Sequence, residues 1–298
     1  MRHFGERRYA RLIMMRTILN VPVQVLAFHE AKRMLDETFE NCQNDECAIV
    51  AFVNAHVLNI AAKNAAFREL LQRSITLNDG VGVDLASLFL FGQRFPENLN
   101  GTDFVPRYFS ATQNYYRVYF LGANRTVVEK AAATFVKIAP RHKIAGYREG
   151  YFHPCETPKI VTDIRNSKAD ILLVAMGNPA QEFWLKDNLP ATGCRIGFGV
   201  GALFNLLSGT VQRAPPWIRS LSLEWVFRLS QEPKRLGRRY VLGNPVFLAR
   251  VTAQRLSRAR ICSGPDWISS PSSYSDRNDG HRAQRAAVPE FQSKHLAK

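Results

Sequence analysis

The chain has no run of eighteen apolar residues, so no segment reads as a membrane-spanning helix. Its five cysteines (Cys42, Cys47, Cys155, Cys194 and Cys262) are odd in number and contain no C-x-x-C pair. That argues against a disulfide framework and a zinc site, and fits a reducing compartment. No aspartate is followed two residues later by another, the pair commonly used to hold a nucleoside diphosphate through a divalent cation. A diphosphate handled here needs some other positive partner. Acidic residues are also scarce: 25 Asp and Glu against 40 Lys and Arg, a formal net charge of +15.

That charge is concentrated at the two ends. Between Arg213 and Arg260 eleven Arg and Lys stand against Glu224 and Glu232, which leaves +9; residues 1–16 carry five Arg against Glu6, which leaves +4. Such asymmetry points to a polyanion: an anionic membrane, a nucleic acid or a phosphorylated substrate. From Arg213 to Tyr240 the cations interleave with Trp217, Leu221, Leu223, Trp225, Phe227 and Leu229. Guanidiniums grip phosphate bidentately, so this mixture suits a surface that meets phosphate and lipid together. A basic amphipathic helix with merely solvated charges reads the same way, and the basic residues beyond Tyr240 are read so.

The remaining composition, 46% hydrophobic over 298 residues, supports a substantial core. Apolar runs alternate with helical patterns along the middle. Strand-like runs are Cys47–Asn54, the segment before Asp79, Arg117–Ala123, His142–Tyr147, Ala169–Gly177 and Cys194–Gly201; helical spacing lies between them. Repeated β–α order predicts an α/β fold, Rossmann-like, with a mostly parallel sheet and helices on both faces. After Gly209 the pattern turns to helix alone. The expected organisation is a flexible basic leader over 1–19, an α/β core over 20–209, a basic amphipathic helical appendage over 210–260 and a disordered tail over 263–298. The leader's apolar stretch is too short for a signal-peptide core, and Met14 or Met15 is an alternative start.

In such folds ligands sit at the carboxyl ends of the strands, where Asn54, Asp79, Gly122 and the Gly177 loop fall. An aspartate side chain is ordinarily ionised at neutral pH and able to accept a proton; the Asp-Gly context of Asp79 equally suits a turn or helix cap. In Met176–Trp184 a strand ends at Gly177 and Pro179 opens a helix whose unpaired N–H groups suit an anion. Gln181 there is placed to bind a ribose, sugar or base, and Glu182 to bind or simply to cap the helix. Gly197, Gly199 and Ala202 nominally match the G-x-G-x-x-[GA] dinucleotide fingerprint. An NAD-dependent oxidoreductase using that Gly197–Ala202 loop is one alternative, although close helix–strand packing explains the same glycines. A basic nucleic-acid-binding protein is another.

Taken together, FVNAHVLNIAAKN, LNDGVGVDLA, LNGTDFV, YFLGANRTVVEKAA, GYREGYF, MGNPAQEFW, FGVGALFNLLSGTVQRAPPW and LEWVFRLSQEPKRLGRRY resemble the WecG/TagA/CpsF glycosyltransferases over roughly residues 20–250. The resemblance implies a metal-independent, inverting enzyme with no cofactor, peripherally attached to the cytoplasmic face of a bacterial membrane. Its donor would be a UDP-sugar and its acceptor a polyprenyl-diphosphate-linked glycan, in wall-polymer, capsule or exopolysaccharide synthesis. Nucleic acid is not an implied partner, and a homo-oligomer is compatible with the pattern. Asp79 would be the general base, and Arg228, Arg235 and Arg238 would complete the site when the appendage docks. Asn54 and Gln181 would line the pocket with Gly80, Gly122, Gly177, Glu182 and Gly201. Trp217, Trp225, Phe227, Tyr240 and Phe247 would meet lipid. Two departures from the family pattern bear on the donor: Ala180 stands where a Lys is common, and Phe52 and Val53 stand where a Thr is often found.

Overall fold

Six strands form one parallel sheet: β3 (Ala48–Val53), β4 (Ile75–Asn78), β5 (Arg117–Gly122), β6 (Lys143–Arg148), β7 (Ile171–Ala175) and β8 (Ile196–Gly199), in the order β4-β3-β8-β7-β5-β6. The structure is a computed structural model and describes residues 14–42, 46–215, 218, 224–231 and 233–262. Parallel neighbours require crossovers, and helices supply them on both faces. One face packs α1 (Phe28–Asn41), α5 (Gly101–Ala111), α6 (Arg125–Ile138) and α9 (Leu203–Leu207) around Phe104, Tyr108, Phe135 and Phe204. The other packs α2 (Ala55–Lys63), α3 (Ala65–Gln72), α7 (Thr157–Asn166) and α8 (Ala180–Thr192), with α4 (Val81–Phe91) beside α2 and α3. Alternation along β3 divides the strand between the faces: Val50 and Phe52 go to the first cluster, Ala51 and Val53 to the second.

Two local readings change. The helical spacing from Ala55 to Gln72 is two helices, because Asn64 leaves the helix (φ −123°, ψ 105°) and its side chain accepts from Phe67 N, capping α3. Part of the expected leader belongs to the fold. Met15–Ile18 is strand β1, paired antiparallel with β2 (Val21–Gln24) through a turn in which Leu19 and Asn20 both have positive φ. That is the turn whose twist matches a hairpin. Arg16 is buried, and its guanidinium donates to Ser87 Oγ, Gln93 O, Gln93 Oε1 and Arg94 O. A cation read as part of a flexible leader is spent on tying the hairpin to the end of α4. Residues 1–13 and the expected tail 263–298 lie outside the described residues.

The C-terminal helices are α10 (Glu224–Gln231), α11 (Pro233–Gly237), a π-helical turn (Arg238–Leu242) and α12 (Gly243–Cys262). α12 is docked on the core along α2 and α4. Phe247, expected at a lipid interface, is 1% exposed and belongs to the cluster formed by β1, β2, α2, α3 and α4. Two of the basic residues beyond Tyr240 are not simply solvated either: Arg250 donates to Asn59 O and Oδ1, and Arg255 donates to Phe89 O with its guanidinium over the Phe89 ring. Their stems and heads anchor α12 where the amphipathic pattern alone shows only a polar face.

Candidate active site

The carboxyl edge of the sheet gathers the loops after β4, β3, β8, β7 and β5 in one row. At a strand spacing of about 4.8 Å the row is roughly 19 Å long. At one end stands Asp79. Its backbone N–H donates to Val53 O at 2.9 Å, so it leaves the sheet just past the last rung. It is not the helix cap: that place belongs to Gly80, whose φ of +88° suits glycine and whose N–H donates to Asn98 Oδ1 at 2.9 Å. The half-buried Asp79 carboxylate is held by Asn54 instead, which donates from Nδ2 to Asp79 Oδ2 at 2.8 Å.

Asn54 is fixed from the other side. It caps α2, and Oδ1 accepts from His56 N and Val57 N, each at 3.1 Å. With the oxygen so committed, the amide nitrogen must face Asp79. Arg239 NH2 also donates to Asn54 Oδ1, at 3.3 Å. His56, half-buried on the same turn, has its pKa lowered to about 4 by burial and then by the Arg239 charge. It is neutral at pH 7. Neither His56 nor Arg239 was singled out from the sequence. In the pair Arg238-Arg239, neighbouring residues on a helix point about 100° apart, and the π-turn there shifts the phase. The sequence carries no signal that Arg239 turns toward Asn54.

At the centre of the row the β7–α8 and β8–α9 loops are locked together. Gln181 and Glu182 are each 1% exposed. Gln181 Oε1 accepts from Gly201 N at 3.1 Å, and its Nε2 donates to Glu182 Oε1 at 2.7 Å; Asn178 Nδ2 donates to the same carboxyl oxygen. Gln181 therefore braces the Gly201 turn in this arrangement. Burial lifts the Glu182 carboxyl to about 7 against the pull of its hydrogen bonds from Gln181 and Asn178. Gly177 and Gly201 have positive φ, +79° and +54°, with open space where a Cβ would stand. Gly122 (φ +138°) would set a Cβ 2.4 Å from Ala175 O, so the β5 and β7 ends approach as closely as backbone allows.

The glycines of the nominal dinucleotide fingerprint have a packing cause. A Cβ on Gly197 would lie 2.5 Å from Leu185 Cδ2, and one on Gly199 would lie 2.9 Å from Gln181 Nε2. α8 presses on β8 at both positions.

Of the three expected arginines, Arg228 is the one whose side chain is described. Arg228 bonds to Glu224 Oε1 through Nε (3.0 Å) and NH2 (2.7 Å), and NH2 also lies 3.5 Å from Thr102 Oγ1. Arg213 forms an ion pair with Asp103, so the first turn of α5 receives two appendage cations. That turn abuts the end of β3, where a Cβ on Gly101 would stand 2.7 Å from Phe52. Phe52 and Val53 are buried, in the clusters that contain α5 and α2 respectively. The side chains of Arg235 and Arg238, and the whole of Trp217, lie outside the described residues. Trp225 is 37% exposed and meets Tyr240 edge-on at 5.9 Å, while Phe227 is half-buried.

Residues 16–261 match the model of the glycosyl transferase WecG/TagA/CpsF family. A Bacillus subtilis (strain 168) protein named N-acetylglucosaminyldiphosphoundecaprenol N-acetyl-beta-D-mannosaminyltransferase is 28% identical over 221 residues, 74% of this chain and 84% of the relative. A Staphylococcus aureus (strain MW2) protein of the same name is 30% identical over 217 residues, 72% of this chain and 84% of the relative.

Proposed function

The chain belongs to the WecG/TagA/CpsF glycosyltransferase family and is a hexosyltransferase, and from that premise we propose that it moves a sugar from a UDP-sugar to a polyprenyl-diphosphate-linked glycan, with inversion and without a metal. The observation that carries this reading is Asp79, held by Asn54 at one end of a row of strand-end loops. A row of that length accepts a nucleoside diphosphate sugar laid across the strand ends, with the anomeric carbon toward Asp79.

Asp79 takes the proton from the acceptor hydroxyl. The oxygen attacks the anomeric carbon from the face opposite the diphosphate; the new C–O bond forms as the old one breaks, and its electron pair leaves on the UDP β-phosphate. Arg228, Arg235 and Arg238 stabilise that growing charge, more in the transition state than in the ground state. For Arg228 this means leaving Glu224, a half-buried i,i+4 pair of small net strength. The Gln181-braced Gly201 turn, Gly177 and the α8 N-terminus receive phosphate oxygens, and Gly122, farther along the row from Asp79, receives the nucleoside. The relatives' names specify an N-acetylmannosaminyl group and an N-acetylglucosaminyl-diphosphoundecaprenol acceptor. A UDP-N-acetylhexosamine and a similar lipid-linked acceptor are therefore the first pair to try.

The enzyme works at a membrane surface. Among the described residues no helix is long and apolar enough to cross a membrane. Exposed Trp225, Val241 and Leu242 among the appendage cations, with Leu85, Leu88 and Phe89 on α4, supply apolar and basic groups for monotopic attachment.

The test is a UDP-sugar panel against polyprenyl-diphosphate-linked mono- and oligosaccharides, with EDTA present and Asp79→Asn as control. Transfer that survives EDTA and is lost in the variant supports the reading; transfer that needs an added divalent cation removes its metal-independent part.

A further inference from the structure

Among the described side chains of the C-terminal helices, Arg239 is hydrogen-bonded to the residue that holds the candidate base. Behind Arg239, α12 is firmly seated: Phe247 and Val251 are buried, Asn59 Nδ2 donates to Gly243 O at 2.7 Å, and Gln254 bridges Leu19 N and Thr17 O. The π-helical turn just before α12 brings the Arg239 guanidinium against the cap of α2, where it meets Asn54 Oδ1. The other end of that carboxamide is bonded to Asp79. From Arg239 to Asp79 the path is one planar group.

A carboxamide exchanges donor and acceptor when it turns over. In the observed orientation it gives a hydrogen to Asp79; reversed, it would set an oxygen against a carboxylate. Two neutral N–H groups hold the oxygen in place, and Arg239 adds a charged donor, which binds roughly twice as strongly as a neutral one. A cation on the oxygen also polarises the amide, so the Nδ2–H becomes a better donor.

We propose that Arg239 is a positioning residue that couples docking of the C-terminal helices to the orientation of Asp79, with the Asn54 carboxamide as the link. Undocking removes the guanidinium and loosens the carboxylate that must face the acceptor hydroxyl. The coupling rests on the reading of Asp79 as general base. It differs from charge stabilisation by Arg228, Arg235 and Arg238 because Arg239 acts through Asn54 and leaves the diphosphate to them.

The experiment uses the full chain with Arg239→Gln, Asn54→Ala and the double variant, and reads kcat, KM for the UDP-sugar and the side-chain NMR signals of Asn54 and His56. Arg239→Gln is expected to lower kcat about tenfold or more, the scale for losing a charged hydrogen bond, with donor KM within about twofold. The double variant is expected to be no worse than Asn54→Ala alone, since both remove one path. Arg239→Lys is expected to restore part of the loss and carries the same test if Arg239→Gln does not fold. In Arg239→Gln the Asn54 Nδ2 protons shift, and the His56 pKa rises from its depressed value. Multiplying losses in the double variant, or wild-type kcat in Arg239→Gln, overturn the proposal. A wild-type chain without transfer on any acceptor sinks the base reading instead; the Asn54 signals then decide the coupling, and their constancy in Arg239→Gln overturns it.

Discussion

Asn54 and Asp79 are 25 residues apart in sequence and 2.8 Å apart in space, each just past the end of one of two adjacent parallel strands. The register pairs Val53 with Asn78, so the next residue of each chain emerges at the same height. A helix cap and a candidate base are thereby made neighbours by the sheet itself, and the cap's spare amide orients the base.

Replacing Asp79 with Asn keeps the shape and removes the proton acceptor. Turnover is expected to fall by about 10²–10⁴, the usual contribution of a positioned general base, while donor binding measured by calorimetry stays close to wild type. Near wild-type turnover would refute the assignment.

Phe247→Ala empties a site that is 1% exposed between α12 and the core. The cost for a buried Phe is about 3–5 kcal/mol, and it falls on the docking of α12 first. Amide hydrogen exchange is expected to speed up along α12 while the β3–β8 sheet stays protected. Uniform protection would show that α12 does not depend on this contact.

Glu182 makes stability pH-dependent in the less usual direction. Its folded pKa of about 7 lies above the ordinary carboxylate value of 4.5, so the folded chain holds the proton that the unfolded chain releases. Stability is therefore expected to fall as pH rises from about 4.5 to about 7, by up to about 3 kcal/mol, and to level off above. Glu182→Gln keeps a neutral group and should flatten that slope in urea titrations at successive pH values. An identical slope in the variant would place the Glu182 proton elsewhere.

Gly122 and Gly177 both have positive φ but differ in their surroundings. A Cβ on Gly122 would meet backbone at 2.4 Å, which no side-chain movement relieves, whereas Gly177 faces open space. Gly122→Ala is expected to cost about 3 kcal/mol or more in folding. Gly177→Ala should cost only the backbone term, about 1–2 kcal/mol, and raise the donor KM by narrowing the loop at α8. Denaturant midpoints and steady-state kinetics on the two variants separate these effects.

The sequence by itself determined the sheet and its ligand-binding edge. Runs such as Ile171–Ala175, apolar at every position, short and ended by Gly177, read as strands covered on both faces, and their right-handed crossovers place every loop after a strand on one side. Asn54, Asp79 and the Gly177–Glu182 loop were legible for that reason, as was the change to helix after Gly209. The tertiary structure decided which polar groups meet. Gln181 and Glu182 turn inward because β8 carries glycines where α8 presses, and Arg16 is buried because the end of α4 offers it acceptors. Arg239 reaches Asn54 because a π-turn sets its phase. Local patterns fix which face of an element is apolar; that Arg239 finds its acceptor on Asn54 depends on packing between segments 185 residues apart.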